Sequence, residues 1–192
     1  KKNSDATVNR KYSCLSKIFS IAEQYKKCNQ KPSFIWESEP DGKIRWLTWE
    51  EEDQYLLYFD DNQQIKDIIM LGCDTGMRAG EMLSVPFTDY QNGKVNIWTN
   101  KNDKPRSVPL TPRVLEMIGR RQMQDPYATT PFSYSYSWIR KLIKKASEDL
   151  QYPDVTIHTL RHTFASRLVQ AGRPISNIQE LMGHKTSAIT QR

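Results

Sequence analysis

The chain has 192 residues, of which 38% are hydrophobic and 26% charged, and its formal net charge is +6. This length suits one domain, or one domain with a fragment of another, and the composition excludes a disordered chain. No apolar run approaches the roughly 18 residues of a membrane span, and the N-terminus lacks the apolar segment of a secretion signal, so neither membrane insertion nor secretion is expected.

Charge is distributed unevenly along the chain. Residues 1–47 have a balance of +5, residues 48–80 of −6, and residues 81–192 of +7. Two basic segments permit nucleic acid as a partner but do not establish it. The acidic segment between them argues against a uniformly solvated surface.

Cysteine usage indicates the compartment. The three cysteines, Cys14, Cys28 and Cys73, are odd in number, far apart and outside any metal-binding spacing. A reducing compartment is the simplest interpretation, so we expect a cytoplasmic protein without a disulfide framework.

The first predicted elements are helices. Apolar side chains in residues 7–28 fall mainly on one helical face, which predicts a long amphipathic helix. Residues 29–47 contain two prolines and a glycine in a stretch of mixed polarity, which is typical of a linker. The sequence T-W-E-E at residues 48–51 has the form of a capping box that opens a helix to about residue 60. Another helix begins near Gln63 and ends in glycines.

The middle of the chain carries the one clear strand signal. A short helix is predicted over residues 79–84. Alternation over residues 94–99, a polar turn, and a return over residues 105–110 then predict a β-hairpin. Thr111 and Pro112 open the next helix as cap and first-turn proline.

The last third predicts helices again, over about 136–149, 158–171 and 174–182, the last two ended by glycines. The expected fold class is therefore mainly α with a small antiparallel β-sheet (α+β). The expected domain boundary lies in the linker at residues 29–47, and the second domain occupies residues 48–192.

Histidine is scarce and is confined to the last 35 residues. His158 and Arg161 stand three apart at the start of a predicted helix, so both side chains leave the same face. The first turn of a helix favours anions, and a histidine with an arginine there describes a phosphate site. Spacing alone equally allows a surface arginine beside a helix-start histidine.

Arg78 lies in D-T-G-M-R-A-G-E, between two glycines at a break between helices. Such a break can hold a long side chain over a cleft, and Glu81, three residues on, could orient the guanidinium. The alternative is a surface ion pair worth roughly 0–1 kcal/mol.

Two groups of basic residues could contact DNA phosphates. Lys101 stands at the tip of the predicted hairpin, flanked by Lys104 and Arg106, and a protruding basic hairpin can follow a DNA groove. The second group is a stripe on the helix near residue 140: Arg140, Lys141, Lys144 and Lys145. Either group could instead be an ordinary solvated face.

A metal site is a further alternative. His158 and His162 are four apart, and His184 could add a third ligand. However, the glutamate of an H-E-x-x-H motif is missing, and Arg161 would place a cation beside the metal. We therefore expect neither a metal nor a cofactor.

Four separated motifs, taken in order, resemble the tyrosine recombinases, particularly the phage-type integrases. The motifs are C-D-T-G-M-R-A-G-E-M-L at 73–83, T-N-K-N-D-K-P-R-S-V-P-L at 99–110, H-T-L-R-H-T-F-A-S at 158–166 and L-M-G-H-K-T at 181–186. The resemblance covers about residues 48–192 and implies the fold of a recombinase catalytic domain. Residues 1–28 look like the terminal helix of an incomplete core-binding domain, which these enzymes carry before the catalytic domain.

The resemblance also implies roles for single residues. Arg78 matches the first arginine of the family, Lys101 the lysine of the hairpin, His158 and Arg161 the H-x-x-R pair, and His184 the histidine before the nucleophile. The arginines and His184 would then stabilise phosphate oxygens, Lys101 would protonate the leaving oxygen, and His158 would assist proton removal from a tyrosine. On this basis, charge reversal at Arg161 is expected to weaken phosphate binding.

The family's nucleophile is not among these residues. Its tyrosine follows the last histidine at a spacing that falls just beyond Arg192, and the nine tyrosines of the chain all precede His158. The catalytic domain is therefore expected to lack its C-terminal nucleophile segment here, and the chain as given is expected to be inactive.

The resemblance implies site-specific recombination, the integration or excision of a phage or mobile element, through a 3′-phosphotyrosyl intermediate. It implies double-stranded DNA with attachment-type sites as the substrate and a tetramer assembled on it. It also implies accessory DNA-bending proteins and a nucleoid-associated place in a bacterial cell. Two alternatives stay open: a catalytically inactive DNA-binding accessory module, and a type IB topoisomerase-like enzyme.

Overall fold

The computed structural model of the chain describes residues 3–39, 44–98 and 105–183. It divides into two compact units, residues 1–43 and residues 44–192. Among the described residues, no helix has both the length and the apolar character needed to cross a membrane.

The first unit is built on one long helix, α1 (Asp5–Gln24). Residues 25–39, the described part of this unit after α1, form neither helix nor strand, but they pack back along α1. The side-chain amide of Asn9 accepts a hydrogen bond from the Glu37 N–H (2.9 Å) and donates one to the Glu37 carbonyl oxygen (2.9 Å). The ring of Tyr12 lies 5.4 Å from that of Phe34. The predicted helix is therefore present, and residues 29–39, predicted as a linker, contribute to this unit's packing.

The second unit begins with the predicted capping box. Helix α2 (Trp49–Tyr58) opens where the Thr48 hydroxyl accepts a hydrogen bond from the Glu51 N–H (3.2 Å) and the Glu51 carboxylate accepts one from the Thr48 N–H (3.0 Å). This reciprocal arrangement satisfies two backbone donors that the first turn of a helix leaves without partners. The prediction of a helix start at this point is confirmed.

Helix α3 (Gln63–Thr75) is the centre of the second unit. Most of its apolar residues are wholly buried, and it packs against the four helices α2, α4 (Ala79–Ser84), α5 (Pro112–Gln124) and α7 (Ile157–Gln170). The approach to α7 is close: a Cβ atom on Gly72 would stand 2.9 Å from the Leu160 Cβ. Helix α3 ends at Gly76, whose φ of 62° is a left-handed conformation that glycine adopts without strain.

A three-stranded antiparallel sheet lies between α4 and α5, after a single turn of 3₁₀ helix at Phe87–Asp89. Its strands are β1 (Tyr90–Gln91), β2 (Lys94–Ile97) and β3 (Arg106–Pro109), in the order β1-β2-β3. In the β2–β3 register, Val95 lies opposite Val108 and Ile97 lies opposite Arg106. The predicted hairpin is confirmed, and β1 is an addition that the sequence pattern did not indicate.

The remaining described elements are α6 (Tyr136–Asp149) and α8 (Ile175–Met182). Helix α6 opens where the Ser135 hydroxyl accepts a hydrogen bond from the Trp138 N–H (3.3 Å), and α8 ends at Gly183 with φ 66°. The described chain is thus mainly helical with one small antiparallel sheet, and the predicted fold class is confirmed.

Candidate active site

Arg78 lies at the break between α3 and α4. It is the residue immediately before α4, and its side chain is about one-third exposed (35%). Its guanidinium donates a hydrogen bond to the Glu81 Oε1 atom (3.0 Å), and its backbone N–H donates one to Glu81 Oε2 (2.7 Å). The pairing inferred from the three-residue spacing is therefore present. It holds the Arg78 side chain at the start of α4.

Glu81 is also held from the opposite side by Arg106 of β3. The two terminal nitrogens of Arg106 donate to the two Glu81 carboxylate oxygens, at 3.1 and 2.6 Å. The Arg106 side chain is only 2% exposed. Arg106, predicted as a DNA contact, thus directs both terminal nitrogens to a carboxylate of the protein.

The environment of Glu81 fixes its charge. Burial alone would raise the pKa of this carboxyl, but the hydrogen bonds from Arg106 and from the Arg78 N–H, with the two positive charges, outweigh burial and lower it. Glu81 is therefore a carboxylate at neutral pH, shared between two guanidinium groups.

Arg161 is the second arginine of the predicted pair, and it is buried (3% exposed). From α7, its guanidinium donates to the backbone carbonyl oxygens of Gly76 and Met182. These two carbonyls belong to the C-terminal ends of α3 and α8. Arg161 therefore links the loop that carries Arg78 to the end of α8.

His158 lies in the first turn of α7, one turn before Arg161, and its side chain is exposed. Partial desolvation, followed by the positive charges of Arg161 and Arg78, lowers its pKa. His158 stands one turn before Arg161, and the Arg161 guanidinium contacts the carbonyl of Gly76, two residues before Arg78, so the three residues lie in one neighbourhood. A neutral imidazole at physiological pH can accept a proton, which is the property required of a general base.

His162 is a neighbour that the sequence pattern suggested only as a metal ligand. Its ring meets the His158 ring edge to face, with centroids 4.7 Å apart. Burial, then His158 and Arg161, lower its pKa as well. Among the residues that the structure describes, no group of three or more histidine, cysteine or acidic side chains is arranged to hold a metal ion.

Three predicted site residues, Lys101, Lys104 and His184, lie outside the described residues. The structure therefore brings together Arg78, His158 and Arg161, with Glu81 and Arg106 in contact beside Arg78. The burial of Arg106 could have been inferred from the sequence, because alternation in β3 places it on the same face as the buried Val108.

The predicted basic stripe occupies the exposed face of α6. The side chains of Arg140, Lys141, Lys144 and Lys145 are all exposed, whereas Ile139 and Ile143 are buried. Within the stripe, Lys144 makes a surface ion pair with Glu148 (3.5 Å). The stripe is thus accessible to a large anionic partner.

Comparison with known proteins decides the family. Residues 45–192, more than three quarters of the chain, match the sequence profile of the Phage integrase family. The chain belongs to this family, the tyrosine recombinases. The matched residues include the whole of the candidate site.

Curated relatives extend the match over nearly the whole chain. The chain is 28% identical over 193 residues to the shufflon-specific DNA recombinase of Escherichia coli, covering 97% of the chain and 50% of that protein. It is 26% identical to the integrase of Haemophilus phage HP1, covering 98% of the chain and 55% of that integrase. A third relative is the tyrosine recombinase XerD of Lacticaseibacillus casei, 32% identical over 134 residues, with 61% of the chain and 45% of the relative covered. The chain thus spans about half the length of these proteins.

Solved structures share the fold. The Tn1549 transposon integrase in complex with transposon right end DNA matches 98% of this chain and 74% of its own chain, with a TM-score of 0.79 at 21% identity. The catalytic domain of bacteriophage HP1 integrase matches 78% of this chain and 86% of its own, with a TM-score of 0.63 at 23% identity. The tyrosine recombinase catalytic-domain fold predicted from the four motifs is confirmed.

Proposed function

We propose that the chain is part of a site-specific recombinase that cuts and rejoins DNA strands through a 3′-phosphotyrosyl intermediate. The observation that carries this proposal is the convergence of Arg78, Arg161 and a neutral His158 at the α3–α4 break and the start of α7. Two guanidinium groups beside a proton acceptor suit a phosphodiester, whose non-bridging oxygens gain charge in the transition state.

The reaction proposed here is a transesterification that needs no metal or nucleotide. The phenol oxygen of a tyrosine attacks the phosphorus, the bond to the 5′-oxygen breaks, and a 3′-phosphotyrosyl ester forms. His158 takes the phenol proton, and Lys101 gives a proton to the departing 5′-oxygen. Attack by a 5′-hydroxyl of the partner strand reverses these transfers and frees the tyrosine, so the bond energy is conserved.

Each remaining charged group has a part in the same step. Arg78 and Arg161 would clamp the non-bridging oxygens, and His184 would donate a further hydrogen bond to them. Removing one such donor typically raises the barrier by about 3 kcal/mol, roughly a hundredfold in rate. Glu81 would keep the Arg78 guanidinium oriented, since it accepts hydrogen bonds from both the guanidinium and the backbone N–H of Arg78.

The nucleophile is proposed to be a tyrosine beyond Arg192, so that the chain as given is inactive. Support comes from the order of residues in the sequence: all nine tyrosines precede His158, and none occupies the nucleophile's place after the last histidine. Residues 1–28 are likewise proposed to be the terminal helix of a core-binding domain.

The proposed substrate is double-stranded DNA with attachment-type sites, bound through the candidate site and the α6 stripe of Arg140, Lys141, Lys144 and Lys145. Lys104 is proposed to assist from the hairpin. Support comes from the exposure of the stripe and from relatives of the same fold solved with DNA. A tetramer on paired sites and accessory DNA-bending proteins complete the proposal.

The decisive experiment traps the covalent intermediate. The complete gene product is incubated with labelled duplexes from the ends of its source element, each nicked so that the cleaved strand diffuses away and religation fails. The expected result is a protein–DNA adduct that survives detergent and maps to a tyrosine after His184, and that is lost in the matching Tyr→Phe variant. Binding without any adduct would instead favour an accessory module. Relaxation of supercoiled plasmids without site preference would favour a topoisomerase-like enzyme.

A further inference from the structure

Arg106 is a buried charged group at the candidate site, and it contacts two separate parts of it. Through Glu81, it supports Arg78, since the same Glu81 oxygen accepts from both guanidinium groups (3.0 Å from Arg78 and 3.1 Å from Arg106). Both terminal nitrogens of Arg106 already donate to the Glu81 carboxylate, so its charge is paired within the protein. Its influence on the site must therefore pass through its neighbours.

The second contact of Arg106 is with the end of α8. A Cβ atom built on Gly183 would stand 3.0 Å from one terminal nitrogen of Arg106 and 3.2 Å from its Cδ atom. Gly183 has φ 66°, so its backbone turns tightly against the Arg106 side chain. The next residue in the chain is His184. Arg106 therefore lies against the backbone of Gly183, the residue before His184.

Charge balance gives Arg106 an effect on Arg78. Glu81 is ionised and carries one negative charge between two positive ones, so the group of three has a net charge of +1. If Arg106 were neutral, Glu81 would pair with Arg78 alone and cancel its charge. If Arg106 were lysine, the net charge would persist but the two-point contact with the carboxylate would be lost, because an ammonium group has no planar fork.

We propose that Arg106 is a positioning residue of the recombinase site. It engages the Glu81 carboxylate, so that Glu81 does not cancel the positive charge that Arg78 offers to a phosphate. It also packs against Gly183 and so positions the backbone just before His184. This inference rests on the proposed function, since it assumes that Arg78 binds a DNA phosphate. It assigns to a buried strand residue a role that neither exposure nor motif matching would suggest.

The test measures binding of the 192-residue chain to a fluorescent duplex by anisotropy across a salt titration. The reference variant is Arg78→Ala, which removes one phosphate contact and should reduce the slope of log K against log salt by about 0.9. Arg106→Lys retains the positive charge but loses the planar guanidinium that donates to both carboxylate oxygens. Arg106→Met removes both the charge and the guanidinium. The Arg106→Met/Glu81→Gln double variant restores the net charge of +1.

The matched control is Arg121→Lys. Arg121 also engages a buried carboxylate, that of Asp67, with Nε–Oδ2 at 2.7 Å, but it lies on α5 and takes no part in the candidate site. Thermal unfolding of every variant, followed by circular dichroism, identifies those that fail to fold. Only variants that are folded at the assay temperature are compared.

The expected result is that Arg106→Met reproduces the affinity loss of Arg78→Ala, roughly threefold at moderate salt for one phosphate contact. Arg106→Lys should fall between Arg106→Met and the unchanged chain, and the double variant should regain affinity relative to Arg106→Met. Arg121→Lys should lower stability without changing affinity.

Two results would overturn the inference while leaving the proposed function intact. One is a folded Arg106→Lys chain with unchanged affinity beside a weakened Arg78→Ala chain. The other is a double variant no tighter than Arg106→Met, which would make Arg106 a contact in its own right. Failure of the proposed function would give a different pattern. In that case the Arg78→Ala chain, and chains with neutral substitutions in the α6 stripe, would bind the duplex with the same affinity as the unchanged chain. If Arg106→Met does not fold, Arg106→Lys still carries the test, because its affinity is compared with those of the unchanged chain and of Arg78→Ala.

Discussion

Arg161 and Met182 are joined by a hydrogen bond from a buried guanidinium to a backbone carbonyl oxygen, and the same guanidinium donates to the carbonyl of Gly76. These contacts give Arg161 a structural task alongside any contact with phosphate. Two carbonyls at the C-terminal ends of helices carry partial negative charge, so a cation is favoured there.

The first prediction concerns charge reversal at this position. Arg161→Glu would place a buried carboxylate against two carbonyl oxygens, which leaves a charge unpaired in the protein interior. We expect a loss of roughly 3 kcal/mol or more in the free energy of unfolding, measured by urea denaturation. A change in the DNA affinity of Arg161→Glu would then combine lost stability with lost phosphate binding. Arg78→Glu tests phosphate binding better, because its side chain is about one-third exposed. Unaltered stability of Arg161→Glu would contradict the buried role.

The second prediction concerns Gly76, the residue that ends α3. Its φ is 62°, and a Cβ atom there would stand 2.4 Å from Cδ1 of Phe164, a ring on α7. Gly76→Ala therefore combines backbone strain with a clash against an aromatic ring, and we expect a loss of about 2 kcal/mol or more in stability, measured by urea denaturation.

The control for Gly76 is Gly80, inside α4. Its φ is not in the left-handed region, and apart from its chain neighbours and the α4 backbone no described residue lies within 4 Å of the place that a Cβ atom would take there. Gly80→Ala should raise stability by about 0.5–1 kcal/mol, because alanine loses less backbone entropy in a helix. Equal effects at the two glycines would show that the fit against Phe164 is unimportant.

Much of the fold followed from local patterns. The Thr48–Glu51 capping box set the start of α2, and the alternation in the hairpin gave β2 and β3 close to their observed bounds. These features depend on residues within a few positions of one another, so the sequence contains the necessary information. The three-residue spacings of Arg78 with Glu81 and of His158 with Arg161 were readable for the same reason.

The long-range ion pairs could not be predicted from the sequence. The acidic segment at residues 48–80 has a balance of −6, and three of its carboxylates are buried against arginines from α5 and α7. Asp67 accepts from Arg120 and Arg121, both at 2.7 Å, and Glu52 lies 2.6 Å from Arg167. Partners so far apart along the chain leave no spacing signal, so their pairing depends on tertiary packing. Part of the uneven charge is therefore internal to the fold.

The third prediction concerns the pKa of His158, which desolvation and the charges of Arg161 and Arg78 hold below the usual value of about 6.5. Replacing Arg78 with alanine removes one of these charges and should raise the pKa of His158. The measurement is an NMR titration of the imidazole carbon-bound protons, with Lys66→Ala as a control that removes a distant charge. No change in the Arg78→Ala chain would show that the two groups do not share one site.

The same lowered pKa predicts how stability depends on pH. The folded protein favours neutral His158 and His162, whereas the unfolded chain protonates both near pH 6.5. Their contribution to stability is therefore complete above that pH and is lost as the pH falls through the lower, folded pKa values. Urea denaturation at about pH 7.5 and about pH 5.5, on either side of the unfolded pKa, should show a smaller decrease in a His162→Gln chain than in the unchanged one. An equal decrease would show that other groups govern the acid range.

The last prediction concerns the exposed stripe on α6. Because its four basic side chains lie in solvent while Ile139 and Ile143 hold the helix in the core, Lys141→Ala and Lys144→Ala should leave thermal stability within about 0.5 kcal/mol of the unchanged chain. Each should reduce the salt slope of DNA binding by up to about 0.9, since each removes at most one phosphate contact. Lys66→Ala is the control, because Lys66 lies on α3, pairs with Asp60 (2.7 Å) and is not part of the stripe. Equal salt slopes of DNA binding for all three variants would show that α6 is not part of the DNA-binding surface.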